Sequence, residues 1–159
     1  MSAGAPLAGF FQTLEQAAPV AALRESTFAF PLVNALHIIG IALLFGAIVS
    51  LDLRLLGWRR DAGPAEAFTR LLRPVAIGGL LIAVPTGLLM FATDARAYAA
   101  SSLFQAKMVL VFVGIANALW LRAAERSGSG PQRRAALAGG ASIVLWLGAL
   151  VLGRMVGYF

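Results

Sequence analysis

Residues 27–51, TFAFPLVNALHIIGIALLFGAIVSL, decide the fold. The run contains no Asp, Glu, Lys or Arg, and its one ionisable side chain is His37. As a helix it reaches about 37 Å at 1.5 Å per residue, enough to cross the roughly 30 Å hydrocarbon core of a bilayer. Its apolar character is continuous, without the apolar–polar alternation of a membrane β-strand, so the spacing predicts a helix. Three further runs of this kind follow, over residues 74–93, 102–121 (with Lys107 inside) and 135–158 (with Arg154 near its end). The sequence therefore predicts an all-α integral membrane four-helix bundle, a single membrane domain over residues 1–159.

The composition agrees. Of 159 residues, 60% are hydrophobic and 13% charged, with a mean hydropathy of +0.83. A soluble domain is about half apolar and about a quarter charged, which excludes a soluble globular or disordered chain. No cysteine is present, so disulfides, thiolate metal sites and thiol nucleophiles are excluded.

The net charge of +6 is sorted along the chain. Arg54, Arg59, Arg60, Arg70 and Arg73 flank the first connection, and Arg122, Arg126, Arg133 and Arg134 the third. Nine of the thirteen cations thus fall beside two loops, which the positive-inside rule places in the cytoplasm, with both termini outside, periplasmic in a bacterial inner membrane. The basic balance reads as topology, and no nucleic acid is expected as a partner. Trp58 and Trp120 at the inner ends, and Tyr98 and Tyr158 near the outer face, fit interfacial belts, while Trp146 falls mid-span. The start of the chain lacks the basic and long apolar runs of a signal peptide. Residues 7–23 mix Phe10, Phe11, Leu14 and Val20 with Gln12, Glu15 and Gln16, which predicts a short amphipathic helix on the outer surface.

Small residues recur every four positions within the runs: Ala42 and Gly46; Gly79, Ala83 and Gly87; Gly114 and Ala118; Gly153 and Gly157. Such faces let helix backbones approach closely, either within one chain or at the seam of a homo-oligomer. Pro85 has no N–H for the Leu81 carbonyl and predicts a kink there, with the Thr86 hydroxyl available to the freed group.

His37 is the residue that chemistry must explain. An ionisable group near mid-span is costly and should face the bundle interior, with Asn34 on the same helical face. Two readings stand: a neutral histidine hydrogen-bonded across helices, or a ligand to haem iron or copper. Zinc sites need three or four protein ligands, which one histidine without cysteine does not supply within one chain. Haem iron needs only one or two axial ligands. Met90, Met108 or the same histidine of a neighbouring copy are candidates for the second, and a five-coordinate iron is also open. Arg24, Arg96 and Lys107 lie towards the outer side, where haem propionates would need cations; Lys107 can equally snorkel to the interface. Asp94 is a nearby partner for Arg96. Asp52 and Arg54 are two residues apart at the inner end of the first run and read as an anchor, and Asn117 reads as an interhelical hydrogen-bonding group. All seven acids are assigned outside the runs or at their ends, and no hydrolase or nucleotide-binding motif is present.

The stretches ALHIIGIALLFGAIVSLDLRLLG, RPVAIGGLLIAVPTGLLMF and FQAKMVLVFVGIANALW together resemble a family of small four-helix bacterial membrane proteins of unassigned function. The resemblance covers residues 25–122 and rests on the L-H pair, the D-L-R-L-L-G exit, the T-G-x-x-x-F second helix and the F-x-x-K-M third helix. That family is distantly similar to copper-resistance membrane proteins and to b-type cytochrome bundles. The resemblance implies that His37 and Lys107 are the motif residues. The expected function is a b-type haem protein carrying electrons in or near the membrane, with a redox partner and the lipid bilayer around it. A small permease or copper-uptake protein, and a non-catalytic accessory subunit, are the alternatives.

Overall fold

The computed structural model describes residues 4–58, 63–126 and 132–158. Among these residues the fold is all helical, without strands. Two short helices, α1 (Gly4–Glu15) and α2 (Ala18–Glu25), precede the long α3 (Ala29–Leu55) and α4 (Ala65–Thr93). The six-residue α5 (Ala95–Ala100) leads into α6 (Ser102–Arg126), and α7 (Gln132–Met155) closes the chain. Helices α3, α4, α6 and α7 are long and apolar enough to span a bilayer. Leu81, Phe112, Val144 and Val151, on three of these helices, point outward with 60% to 71% of their surface open. Water does not tolerate such apolar walls, and lipid does. The chain is a multi-pass membrane protein.

Local rules explain the breaks. Pro19 sits at the start of α2, where its missing N–H is harmless, so residues 7–23 form two helices where one was expected. Ser26 accepts the Ala29 amide at 3.0 Å and Ser101 accepts the Phe104 amide at 3.3 Å, each supplying a partner that the first turn of α3 or α6 lacks. Helix α4 begins nine residues before Pro74, where the apolar run began. Glu66, Arg70 and Arg73 mark the end of the apolar stretch but are good helix formers, so the helix continues beyond it.

The spanning helices run alternately up and down. One end of the bundle carries α1, α2, α5 and the last turn of α7; the other carries Arg54, Arg70, Arg122, Arg126 and Arg133 near the ends of the spanning helices and is called the basic end below. Helix α3 packs against α4 on one side and α7 on the other, and α7 packs against α6. Among the described residues, no Cα of α4 lies within 8 Å of one in α6. The α3–α4 contact is the tightest. A Cβ built on Gly79 would stand 2.5 Å from the Leu44 nitrogen and 2.7 Å from the Gly40 carbonyl. The stripe Gly79–Ala83–Gly87 therefore seats α3, as intrachain packing of small residues predicts. On α3 the seam is Gly40, Leu44 and Ala47, all buried. Ala42 is exposed and Gly46 meets nothing within 4 Å, so that expected pair lies off the seam.

The end that carries α1, α2 and α5 is closed by aromatic rings. Phe91 stacks on Phe104 at 5.4 Å, Tyr98 lies 5.5 Å from Phe104, and Phe11 of α1 meets Phe91 edge-on at 6.1 Å. Tyr98 thus belongs to this cap. Glu15, at the end of α1, is buried and accepts the Arg96 backbone amide at 2.9 Å and its Nε at 3.0 Å. The Arg96 amide first, and then its guanidinium, hold the Glu15 carboxyl below the ordinary carboxylate range. Arg96 pairs with Glu15 across 81 residues of chain, and the expected pairing with neighbouring Asp94 does not form.

Candidate functional site

His37 lies on α3, about two turns from its start, and its ring is pressed against α4. Gly87 makes this possible: a Cβ there would stand 2.9 Å from His37 Cε1. The ring nitrogen Nδ1 is 2.9 Å from the Ala83 carbonyl and 3.1 Å from Thr86 Oγ1. A carbonyl only accepts, so Nδ1 carries the hydrogen and donates. The Thr86 hydroxyl spends its own hydrogen on the Ile82 carbonyl at 2.6 Å, leaving its oxygen to accept from His37. In the neutral imidazole the lone pair therefore sits on Nε2. The turn of α4 that holds the ring contains Pro85, yet the helix continues through it. Thr86 bonds Ile82, one residue beyond the Leu81 carbonyl that Pro85 frees, and thereby fixes the face presented to His37.

Asn34 was expected to share the face of His37. The group that orients the imidazole is instead a main-chain carbonyl of another helix. Sequence periodicity within one helix cannot reveal such a partner; the signal lay in the P-T-G of α4, where a proline, a hydroxyl and a missing side chain coincide.

Lys107 of α6 faces the same interior. Its Cε and Nζ would stand 3.3 and 3.4 Å from a Cβ on Gly153 of α7, and Nζ lies 5.9 Å from the centre of the Phe104 ring. Its ammonium acts electrostatically on His37. The half-buried lysine reaches from α6 to Gly153 of α7 and towards the Phe104 ring of the capped end. Met108 is the next residue of α6 and is half-buried; Met90 is half-buried on α4, one turn beyond Thr86. Arg96 is occupied by Glu15, at the capped end. The structure thus brings His37, Thr86 and Lys107 to one region and commits Arg96 elsewhere. Among the described residues, no three His, Cys, Asp or Glu side chains gather as a metal-binding group.

The basic half holds a second set of polar groups. Asn117 donates to the Ala138 carbonyl at 3.0 Å, the interhelical bond expected of it. Arg54 donates to the Gly63 carbonyl and lies 5.0 Å over the Phe68 ring, away from Asp52. Asp52 turns the other way, is 5% exposed, and takes a hydrogen bond from Ser142 of α7. Sequence reading set this acid at a span end; the structure buries it among helices. It follows Gly40, Leu44 and Ala47 along the buried side of α3, a face that becomes legible only once the α3 seam is known.

No protein family, curated protein or solved structure matches the chain.

Proposed function

We propose that this protein is a b-type haem protein of a bacterial inner membrane, carrying electrons, with His37 as an axial ligand. The observation that carries the reading is the Nδ1–H bond to the Ala83 carbonyl. Histidines that ligate metals commonly donate their other N–H to a carbonyl or carboxylate, which fixes the tautomer and raises the basicity of the ligating nitrogen. Here Ala83 and Thr86 do this work, and Nε2 is left to bind. Helices α4 and α6 make no close backbone contact, so a flat apolar ring would enter between them, and Lys107 would offer a cation to a propionate. When bound, haem supplies a one-electron couple within the membrane. The chain's part is to hold the imidazole, neutralise an acidic edge and close the capped end with aromatic rings. Met90, Met108 or the histidine of a second copy would complete a six-coordinate iron.

The cation bias favours a cytoplasmic basic end and periplasmic termini. Because the chain has no cysteine, a single Ser2→Cys substitution reports this cleanly: an impermeant maleimide labels it from outside in intact cell envelopes. Labelling only after the membrane is opened would reverse the orientation.

The haem reading is tested by adding haem to detergent-purified protein. A saturable shift of the Soret band at one haem per His37 is expected, with at least a tenfold weaker affinity in His37→Ala. Equal binding by the native and His37→Ala proteins contradicts the assignment. Copper bound stoichiometrically by a protein that gives no Soret shift would support the uptake reading instead.

A further inference from the structure

Asp52 and Trp146 are both buried, at 5% and 8% exposure, and each keeps one polar atom without a hydrogen-bond partner among the described residues: Oδ2 of the carboxyl and Nε1 of the indole. Ser142, 3% exposed, bonds the carboxyl of Asp52. Trp146 follows Ser142 by four residues on α7, one turn nearer the membrane centre, with its ring against Gly114 of α6. A Cβ on Gly139 of α7 would stand 3.1 Å from the Asp52 carbonyl, and Gly139 lies about 6 Å inside the apolar run that starts at Ala135, so Asp52 sits just inside the basic end of the spanning helices. An acid inside a span is expensive and marks a place where a proton or ion is handled.

We infer that Asp52 is the proton-binding group of a second, solvated site in the basic half of the bundle, linked by water to the indole N–H of Trp146. The two orphaned atoms are of opposite kind. One water that accepts from Nε1–H and donates to Oδ2 satisfies both, which is how protein interiors meet buried polar groups that lack protein partners. The donor set selects a proton over a metal ion. One carboxylate and one hydroxyl are too few oxygens for a hard cation, the indole N–H opposes a positive ion, and no three His, Cys, Asp or Glu side chains gather among the described residues. In uptake, a hydrated proton from the basic end adds to the carboxylate oxygen and leaves water; release reverses this, with no other reactant. Around Asp52, α7 presents Ser142, while Arg54 of α3 is turned to Gly63 and Phe68. Helix α4 carries Arg70 and Arg73 towards this end. The site uses neither His37 nor Lys107, so it stands whether or not His37 binds haem.

The test uses full-length protein in lipid nanodiscs with Trp58→Phe and Trp120→Phe, so that Trp146 is the only indole. Its emission is followed from about pH 4 to about pH 9, a range that covers the spread of carboxyl titrations in proteins, together with the infrared carbonyl band of a protonated carboxylic acid. Emission and band are expected to titrate together, and Asp52→Asn should remove both changes while circular dichroism shows an intact fold. Ser142→Ala should keep the amplitude and move the midpoint, which also decides the matter if Asp52→Asn does not fold. A flat emission, a titration that survives Asp52→Asn, or a midpoint unmoved in Ser142→Ala overturns the inference.

Discussion

His37 and Asp52 lie on one helix, about 22 Å apart along its axis, and the bundle treats them in opposite ways. The imidazole meets a carbonyl and a hydroxyl of α4 and is held in one tautomer against a bare glycine. The carboxyl meets a single hydroxyl of α7 and keeps an oxygen without a protein partner. The difference lies in the neighbouring helix. Helix α4 approaches α3 backbone to backbone, because Gly79 and Gly87 remove the side chains between them, so its main chain is within reach of a side chain on α3. Helix α7 also comes close, with a Cβ on Gly139 standing 3.1 Å from the Asp52 carbonyl, but the group it offers the Asp52 carboxyl is the Ser142 hydroxyl. A buried polar group in lipid is thus settled by which group the adjacent helix turns towards it, a main-chain carbonyl for His37 and a side-chain hydroxyl for Asp52.

The largest break in this comparison is Gly79→Ala. The new Cβ would meet two backbone atoms of α3, at 2.5 Å and 2.7 Å, and neither can move without parting α3 from α4. A loss of about 2–3 kcal/mol is expected in unfolding from detergent micelles, at the upper end of overpacking costs. Gly46→Ala, where nothing lies within 4 Å, should change stability by less than about 0.5 kcal/mol. Equal effects at the two glycines would remove the backbone argument.

Gly87→Ala is the next in size and falls on the His37 side alone. Its Cβ would lie 2.9 Å from Cε1, and the ring, being a side chain, can swing away from Ala83. Haem affinity should drop by about 10–100-fold, as for other losses of the group orienting a metal-binding histidine. The pH response at Asp52 should stay as it was. Thr86→Val is milder, because the Ala83 carbonyl remains to accept from Nδ1. It should cost about 0.5–1.5 kcal/mol in stability, read from thermal unfolding.

The smallest effect lies outside the membrane. The carboxyl of Glu15 titrates lower when folded than when unfolded. Its contribution is therefore fully present above the ordinary carboxylate range and is lost as pH falls through the lowered folded value. Amide hydrogen exchange in α1, corrected for the intrinsic pH dependence, should show weaker protection in acid than near neutrality. Glu15→Gln should flatten that dependence and leave exchange in α3 unchanged. A dependence that persists in the glutamine variant would assign it to another group.

The spanning helices were legible from the sequence because continuous apolar runs have one stable answer in lipid. Their ends were less so: charge marks where apolar character stops, while α4 continues as helix through Pro74 to Ala65. His37 stood out by its isolation. Its partners did not, because Ala83 contributes a main-chain atom that every residue has, and only the fold says which carbonyl is near. Glu15 with Arg96, and Asp52 with Ser142, were hidden for a related reason: each joins residues far apart in the chain, and local patterns assigned them to a surface helix and a span end. The small-residue repeats found the correct face on α4 and the wrong one on α3, where Gly40 and the Leu44 backbone make the close contact.

The central claim, that His37 holds a haem iron, is met most directly by the visible absorption spectrum of protein isolated from cells supplied with haem precursor. The account predicts a Soret band that sharpens and shifts on reduction, present in the native protein and absent in His37→Ala of equal stability. A colourless native protein, or a band that His37→Ala retains unchanged, would contradict it.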